Sequence, residues 1–518
     1  MILKTTHLSV IYQNGYLRYL KLGNEELVRM IYTAVRDEHW LTASMTISEE
    51  KIIQDENAFN VTYQAKYRLN AIEYFASIEI IGKPDDTISF HFIGTSHCDF
   101  LRNRIGICVH HPIQECVGQS VEIIQRDGSS LFSIFPQLIA PHQPFKNIQQ
   151  LIWKTPNQVQ ARLSFEGDIF ETEDQRNWTD NSFKTYSTPL EIPFPVAVKK
   201  GDNVEQKVIL TVSNVPIIDV VSNDDNALEN RFAFPAIGYA KSDYPLLTEQ
   251  VELLQQIIIN HYRVEIRFDL DWENTLKSAV KEAMLLHTKI ELAVFFDDFV
   301  NEYPRLKNVL TTSISSIIIL QNNAVVAVQG LLDFIIPAIK VDFPSIKIGA
   351  GTDVFFAELN RNRITDERLD FVSFSINPQV HLYDDETLIE NLAAQRYCIQ
   401  TIQSFTKLPI HISPITLKPR GFPTLSIDAR QHTEFIANWT ALTLKYLAGA
   451  AQITFYETVG NKGIINTNGL SPVYELLKKI TVFKPKFIIN NMVSNPLEKD
   501  ELVLENEDGE RKIFEIKF

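Results

Sequence analysis

The sequence predicts two architectures in series, an antiparallel β-sandwich-like region followed by a (β/α)8 TIM barrel, with a C-terminal β tail that packs back on the β-region. Three observations carry this. Up to residue 230, short runs rich in β-branched and aromatic residues are separated by turn residues. From 231, strand-sized apolar runs alternate with helix-period segments, eight times within the roughly 250 residues that a closed barrel takes. Beyond Lys479 the texture returns to β, so the predicted limits are 1–230, 231–482 and 483–518.

The first region opens with Leu8–Tyr12 and the turn pair Asn14-Gly15, then Ala65–Leu69, Ser77–Ile81, Ser89–Gly94, Gly106–Val109 and Val121–Gln125 before Asp127-Gly128. Asn-Gly and Asp-Gly pairs supply the positive φ angles of tight hairpins, so these strands are antiparallel. The alternation in Ser77-Ile78-Glu79-Ile80 suits a sheet with one wet face.

The barrel strands predicted in order are Ala236–Tyr239, Val264–Asp269, Glu291–Phe296, Ser315–Leu320, Lys347–Gly351, Phe371–Ile376, Ile410–Ile415 and Gln452–Tyr456. Between them, Leu247, Val251, Leu254 and Ile258 step as one buried helix face does, and a later helix runs from about Ala429 to a terminating Gly449. No glycine-rich nucleotide turn is present, which argues against an open doubly wound sheet. Lys486–Asn490, and Glu501–Glu505 with Lys512–Lys517 across Asp508-Gly509, form the tail.

With 49 basic and 64 acidic side chains the net charge is −15, which excludes a broadly basic nucleic-acid binder. No run approaches the roughly 18 apolar residues of a membrane span. The first 22 residues carry Lys4, His7, Arg18 and Lys21 and so lack a signal-peptide core; the expected location is the cytoplasm, with no membrane partner. The four cysteines lack metal-binding spacing and read as reduced thiols.

In a barrel the reacting groups follow the strands. The strand ends carry Asp269, Asp297, Asn360, Arg361, Asn377, Lys418 and Arg420 as substrate-binding candidates, and Glu358, Glu457 and His381 as catalytic ones. Such a mixture of acids, amides and cations suits a small polyhydroxylated ligand. Glu358 and Glu457 lie three strands apart, and carboxylates so placed can flank one bond, as in a barrel of glycosidase type; Ala357 departs from the Asn that precedes the acid there. This leaves a glycoside hydrolase and a non-catalytic carbohydrate-binding protein as alternatives. No cofactor is expected, and a divalent metal shared by Asp269, Asp297 and Glu358 stays open. His110-His111 near Cys108 read as ordinary hydrogen-bonded histidines, since strand neighbours point to opposite faces.

The densest polar segment, Gly167–Tyr186, mixes five carboxylates with Arg176, Lys184, Trp178 and Tyr186. A solvated loop has no need of so many aromatics, so a buried network at the domain seam is expected, with Asp174 and Arg176 reaching substrate. Gly167–Leu190, with Asn181 where Ala is usual, resembles the signature of the D-apionate lactonase family. Val35-Arg36-Asp37 with Trp40, Asn103-Arg104-Ile105-Gly106 leading to His111-Pro112, Phe135-Pro136 and Gln143-Pro144-Phe145 are similar to it as well. So are Asp353–Arg361, Phe374–His381 and Asp428-Ala429-Arg430. The resemblance implies hydrolysis of a branched sugar-acid lactone to D-apionate in apiose breakdown, and supplies no residue roles. From the residues, Glu358 or Glu457 would activate water, Arg361, Lys418 or His381 would steady the oxyanion, and Asn360 and Asn377 would bind hydroxyls. Ser375 and Ser413 lie inside strands and no G-x-S-x-G elbow occurs, which disfavours a serine nucleophile.

Overall fold

The computed structural model describes residues 1–213, 230–420, 427–466, 469–490, 497 and 499–518; residues 214–229, which lead up to the expected boundary at 230, lie outside them. The chain forms two compact units, Met1–Gln175 with Ser182–Asp224, and Arg176–Asn181 with Asp225–Phe518. Six residues of the dense polar segment therefore belong to the second unit, although the chain around them belongs to the first.

The first unit is antiparallel β: its described strands form one hydrogen-bonded sheet of 17, folded on itself through extra pairings. Phe59–Leu69 pairs along its whole length with Ile72–Gly82, turning at Asn70 with φ +50°, and alternate residues of both strands are buried. Two longer strands, Glu25–Asp37 and Phe100–Pro112, pair with each other and are buried on both faces over most of their length.

In the second unit we number the barrel strands β1 (Ala236–Ala240), β2 (His261–Arg267), β3 (Lys289–Phe296), β4 (Ile314–Gln321), β5 (Lys347–Gly351), β6 (Phe371–Ile376), β7 (Ile410–Ile415) and β8 (Gln452–Val459). All neighbours are parallel, and β8 pairs with β1 through Ile237 opposite Ile453, which closes the ring. Each predicted strand is present. They are legible because parallel strands covered by helices are apolar on both faces. Gly349 makes room in the lumen: a Cβ there would lie 2.1 Å from the Phe371 ring, which instead stacks on His411 at 3.8 Å. With Ala293, Phe295, Ile318 and Leu320, Phe371 forms the apolar half of the barrel interior.

The C-terminal strands Phe487–Asn490, Asp500–Glu505 and Arg511–Ile516 form an antiparallel sheet with Asn230–Ala233. The expected tail strands exist, but their contacts correct the expected packing on the N-terminal β-region. They lie against the helix Glu434–Tyr446, where Lys445 pairs with Asp500, both fully buried, and Tyr446 donates to Asp500 at 2.7 Å. Burying a lysine on a helix demands a carboxylate in reach, and that pair fixes the tail's position. All four cysteines are free thiols. Among the described residues no helix is long and apolar enough to cross a membrane.

Candidate active site

Strand β2 reads His-Tyr-Arg-Val-Glu-Ile-Arg, and the period of two sends Arg263, Glu265 and Arg267 to one side and Val264 and Ile266 to the other. The charged side is the lumen. Arg263, 2 % exposed, donates from Nε to Ser413 on β7 at 3.1 Å and from Nη2 to Asp353, just past β5, at 2.8 Å. Arg420 bonds the other oxygen of Asp353 at 3.1 Å and also Glu265, and Arg267 donates to Glu265 at 3.1 Å. Three guanidiniums thus share two carboxylates, Asp353 and Glu265. Burial alone would raise the Glu265 carboxyl, but the charges of Arg420, Arg263 and Arg267 outweigh it and hold it well below the ordinary carboxylate range. Asp353 is pushed up, by burial first and also by the negative Glu265 beside it, despite Arg420 and Arg263.

Deeper in the lumen Glu291 on β3 accepts from Ser413 at 2.6 Å, from the Gln452 amide, and lies 3.0 Å from His411 Nδ1. Burial raises its carboxyl, yet the hydrogen bond from His411, the His261 charge and Ser413 bring it down to about 2. His261, 2.7 Å from Thr454, is held at about 4 by burial. From Glu291 the string runs through Ser413, Arg263, Asp353, Arg420, Glu265 and Arg267 to Asn322 and then Asp297, to which Asn322 donates at 2.8 Å.

A second cluster joins the short helix Phe356–Arg361 to residues 176–181. Asn360 donates to Asn177 at 3.0 Å and accepts from Arg363 at 3.2 Å, so its amide is occupied within the protein. The Arg361 guanidinium lies 5.2 Å from the Trp178 ring, and the His381 ring meets Trp178 edge-on at 5.4 Å. Nδ1 of His381 is hydrogen-bonded to Asp180, whose other oxygen accepts from Asn391 at 2.7 Å. Arg176 is fully buried, with its guanidinium 4.6 Å from the Tyr397 ring and its carbonyl 3.8 Å from Cys398 Sγ.

Each predicted site residue can now be placed. Glu358 sits in the second cluster, 3.7 Å from Arg361. Glu457 sits at the end of β8, 3.7 Å from Lys462; burial pushes its carboxyl up and Asp243 adds to this, while Lys462 and Arg420 oppose it. Among the described residues no hydrogen bond or ion pair joins the two glutamates. Asn377 follows β6, is buried, and its Oδ1 has no hydrogen-bond partner. Lys418 lies 3.8 Å from Asp428, Asp269 is exposed in the turn after β2, and Asp174 is buried in the first unit, accepting from the Ala140 N–H at 3.0 Å. Asp174 belongs to the first unit and Arg176 to the second. Among the described residues no three His, Cys, Asp or Glu groups converge as metal ligands, so Asp269, Asp297 and Glu358 do not form the metal set left open above.

Arg263, Glu265, Arg267, Glu291 and His411 are absent from the sequence-based candidates, which lie at strand ends, whereas these sit inside strands. The signal was present: charged residues at alternate positions of β2, and one glutamate within the apolar run of β3, cannot face the helices and must face the lumen.

Residues 1–215 match the family described as D-apionate lactonase, N-terminal domain, and residues 236–484 match D-apionate lactonase, TIM barrel domain. A D-apionate lactonase from Brucella anthropi is 27% identical over 458 residues, 81% of this chain and 73% of that protein. Solved structures are more distant. An α-L-arabinofuranosidase from Thermotoga maritima is 12% identical, covering 56% of this chain and 83% of its own at a TM-score of 0.39. A GalM/aldose epimerase homologue from C. elegans is 8% identical, covering 42% of this chain and 99% of its own at 0.29. With matches over both units, the chain belongs to the D-apionate lactonase family.

Proposed function

We propose that this protein hydrolyses a lactone of D-apionate to the open acid. The observation that carries the reading, beside family membership, is the Asp180–His381 pair, which joins residues 176–181 to the loop after β6, with Trp178 beside His381 and Arg361. Water must lose a proton as it adds to the lactone carbonyl, and Glu457, whose carboxyl burial raises, is the base that takes it. The oxyanion of the tetrahedral intermediate is met by Arg361, with Glu358 and Trp178 holding that guanidinium, and by Lys418. Collapse breaks the ring C–O bond. The alkoxide takes a proton from His381, whose imidazolium Asp180 stabilises, and a net proton is released as the acid ionises. The unpartnered Asn377 amide oxygen accepts a substrate hydroxyl, with Asp269 and Asp297 at the rim. Asn360 positions residues 176–181.

The test is proton release on mixing the protein with D-apionolactone, with D-xylonolactone and an aryl glycoside alongside, each with and without EDTA. Acid release from the apionolactone above the spontaneous rate is the expected result. Silence on both lactones with cleavage of the glycoside overturns the reading, and an EDTA-sensitive rate would add a metal to it.

A further inference from the structure

Neighbouring strands of the first unit's sheet bring a set of polar side chains to one face. Residues directly opposite on neighbouring strands share a face. Arg36 lies opposite Arg104, Lys184 opposite His110, Tyr186 opposite Cys108, and Glu171 and Glu173 opposite Tyr186 and Lys184. Four strands thus present Arg36, Arg104, Lys184, Glu171, Glu173 and Tyr186 side by side, every one less than a tenth exposed. A sheet face that only had to pack would be apolar.

Most of this face satisfies itself. Lys184 pairs with Glu173 at 2.8 Å, and Glu171 accepts from Tyr186 at 2.6 Å and from the Leu190 N–H at 2.7 Å. Arg104 does not. It is 7 % exposed, its Nη1 donates to the Asn103 carbonyl at 2.6 Å, and its Nε and Nη2 have no hydrogen-bond partner. Its guanidinium is flanked by the rings of Trp40 at 5.3 Å and Phe194 at 5.1 Å, which are themselves 38 % and 41 % exposed. His110 Nε2 and Asn103 Oδ1 are buried and unpartnered as well. Leaving two donors of a buried guanidinium bare is costly, and Nε with Nη2 is the edge that meets a carboxylate with two parallel bonds.

We propose that this face is a second binding site, taking a small hydroxylated carboxylate of the sugar-acid class: the carboxylate on the Arg104 fork between Trp40 and Phe194, the hydroxyls on the remaining polar groups. Arg36, Arg104 and Lys184 outnumber Glu171 and Glu173, so an anion is the favoured charge. The proposal stands whether or not the barrel performs the hydrolysis proposed above.

The experiment is hydrogen exchange of the full chain with D-apionate, D-xylonate and D-gluconate at up to about 10 mM, with xylitol as the neutral control, paired with calorimetry. At least one of the acids is expected to protect peptides spanning 100–112 and 182–187, and xylitol is not. Arg104→Lys keeps the charge and loses the fork, so the acid's affinity should fall about tenfold at an unchanged unfolding temperature. Trp40→Ala, a change at an exposed rim, provides a second variant with the same expected loss. Protection confined to barrel peptides, or absent with all three acids, or indifferent to both substitutions, overturns the proposal.

Discussion

Glu358 and Glu457 look equivalent in sequence and keep different electrostatic company. Glu358 has a guanidinium within 3.7 Å, while burial lifts the Glu457 carboxyl above its usual range. A base must be ionised to accept a proton, so kcat/KM should fall as pH drops through that raised value. In Glu457→Gln this acid limb should vanish and the rate should drop about 100-fold; a limb that persists in the variant's pH profile would remove Glu457 from the role. Asp180→Asn should lower kcat about 100-fold with little change in KM, since it deprives the His381 imidazolium of its counter-charge; steady-state kinetics on the lactone decides this. Of these residues the sequence showed His381 and the glutamates. It could not show that Asp180 is the partner of His381, because hydrogen bonding between residues 201 positions apart leaves no local pattern.

Among the elements, β2 and the C-terminal strands are the instructive ones. Arg-Val-Glu-Ile-Arg has the alternation of a half-wet antiparallel strand, and only closure of the ring turns its charged side into a lumen. The lumen's buried groups make the barrel acid-labile. His261, held at about 4 against an ordinary 6.5, resists the proton that the unfolded chain accepts, so stability is lost as pH falls from the higher value to the lower. Glu291, held at about 2 against 4.5, extends the loss further down. Each contributes on the order of 3 kcal/mol. Acid unfolding followed by circular dichroism should therefore move to lower pH in His261→Gln, and an unmoved curve would contradict this. The tail strands were readable from their own β pattern, but their partner was not, since Lys445 looks like an ordinary helix cation until Asp500 covers it. Asp500→Ala leaves that lysine buried without a counter-charge and should cost about 3–5 kcal/mol, read as a lowered denaturant midpoint.

Across the whole molecule, the change of texture after residue 231 announced two architectures, and both are present. Invisible in the sequence was the destination of Arg176–Asn181, which the chain reaches from one unit and places in the other. A fragment of residues 230–518 has every barrel strand and lacks Asn177, Trp178 and Asp180. It should keep a helical circular dichroism spectrum and lose about 100-fold or more of lactone hydrolysis, because His381 and Arg361 are no longer held. A fragment as active as the full chain would show that these six residues are dispensable.

The same six residues bear on how such a protein can be inherited. Gene fusion and recombination ordinarily trade domains as whole blocks, cut at the linker between them. Here a cut at the linker would carry away the Asp180 that is hydrogen-bonded to His381, and a barrel newly joined to a foreign β-domain would arrive without it. The two halves of this lineage are therefore expected to descend together, as one unbroken reading frame, however freely their folds travel in other families.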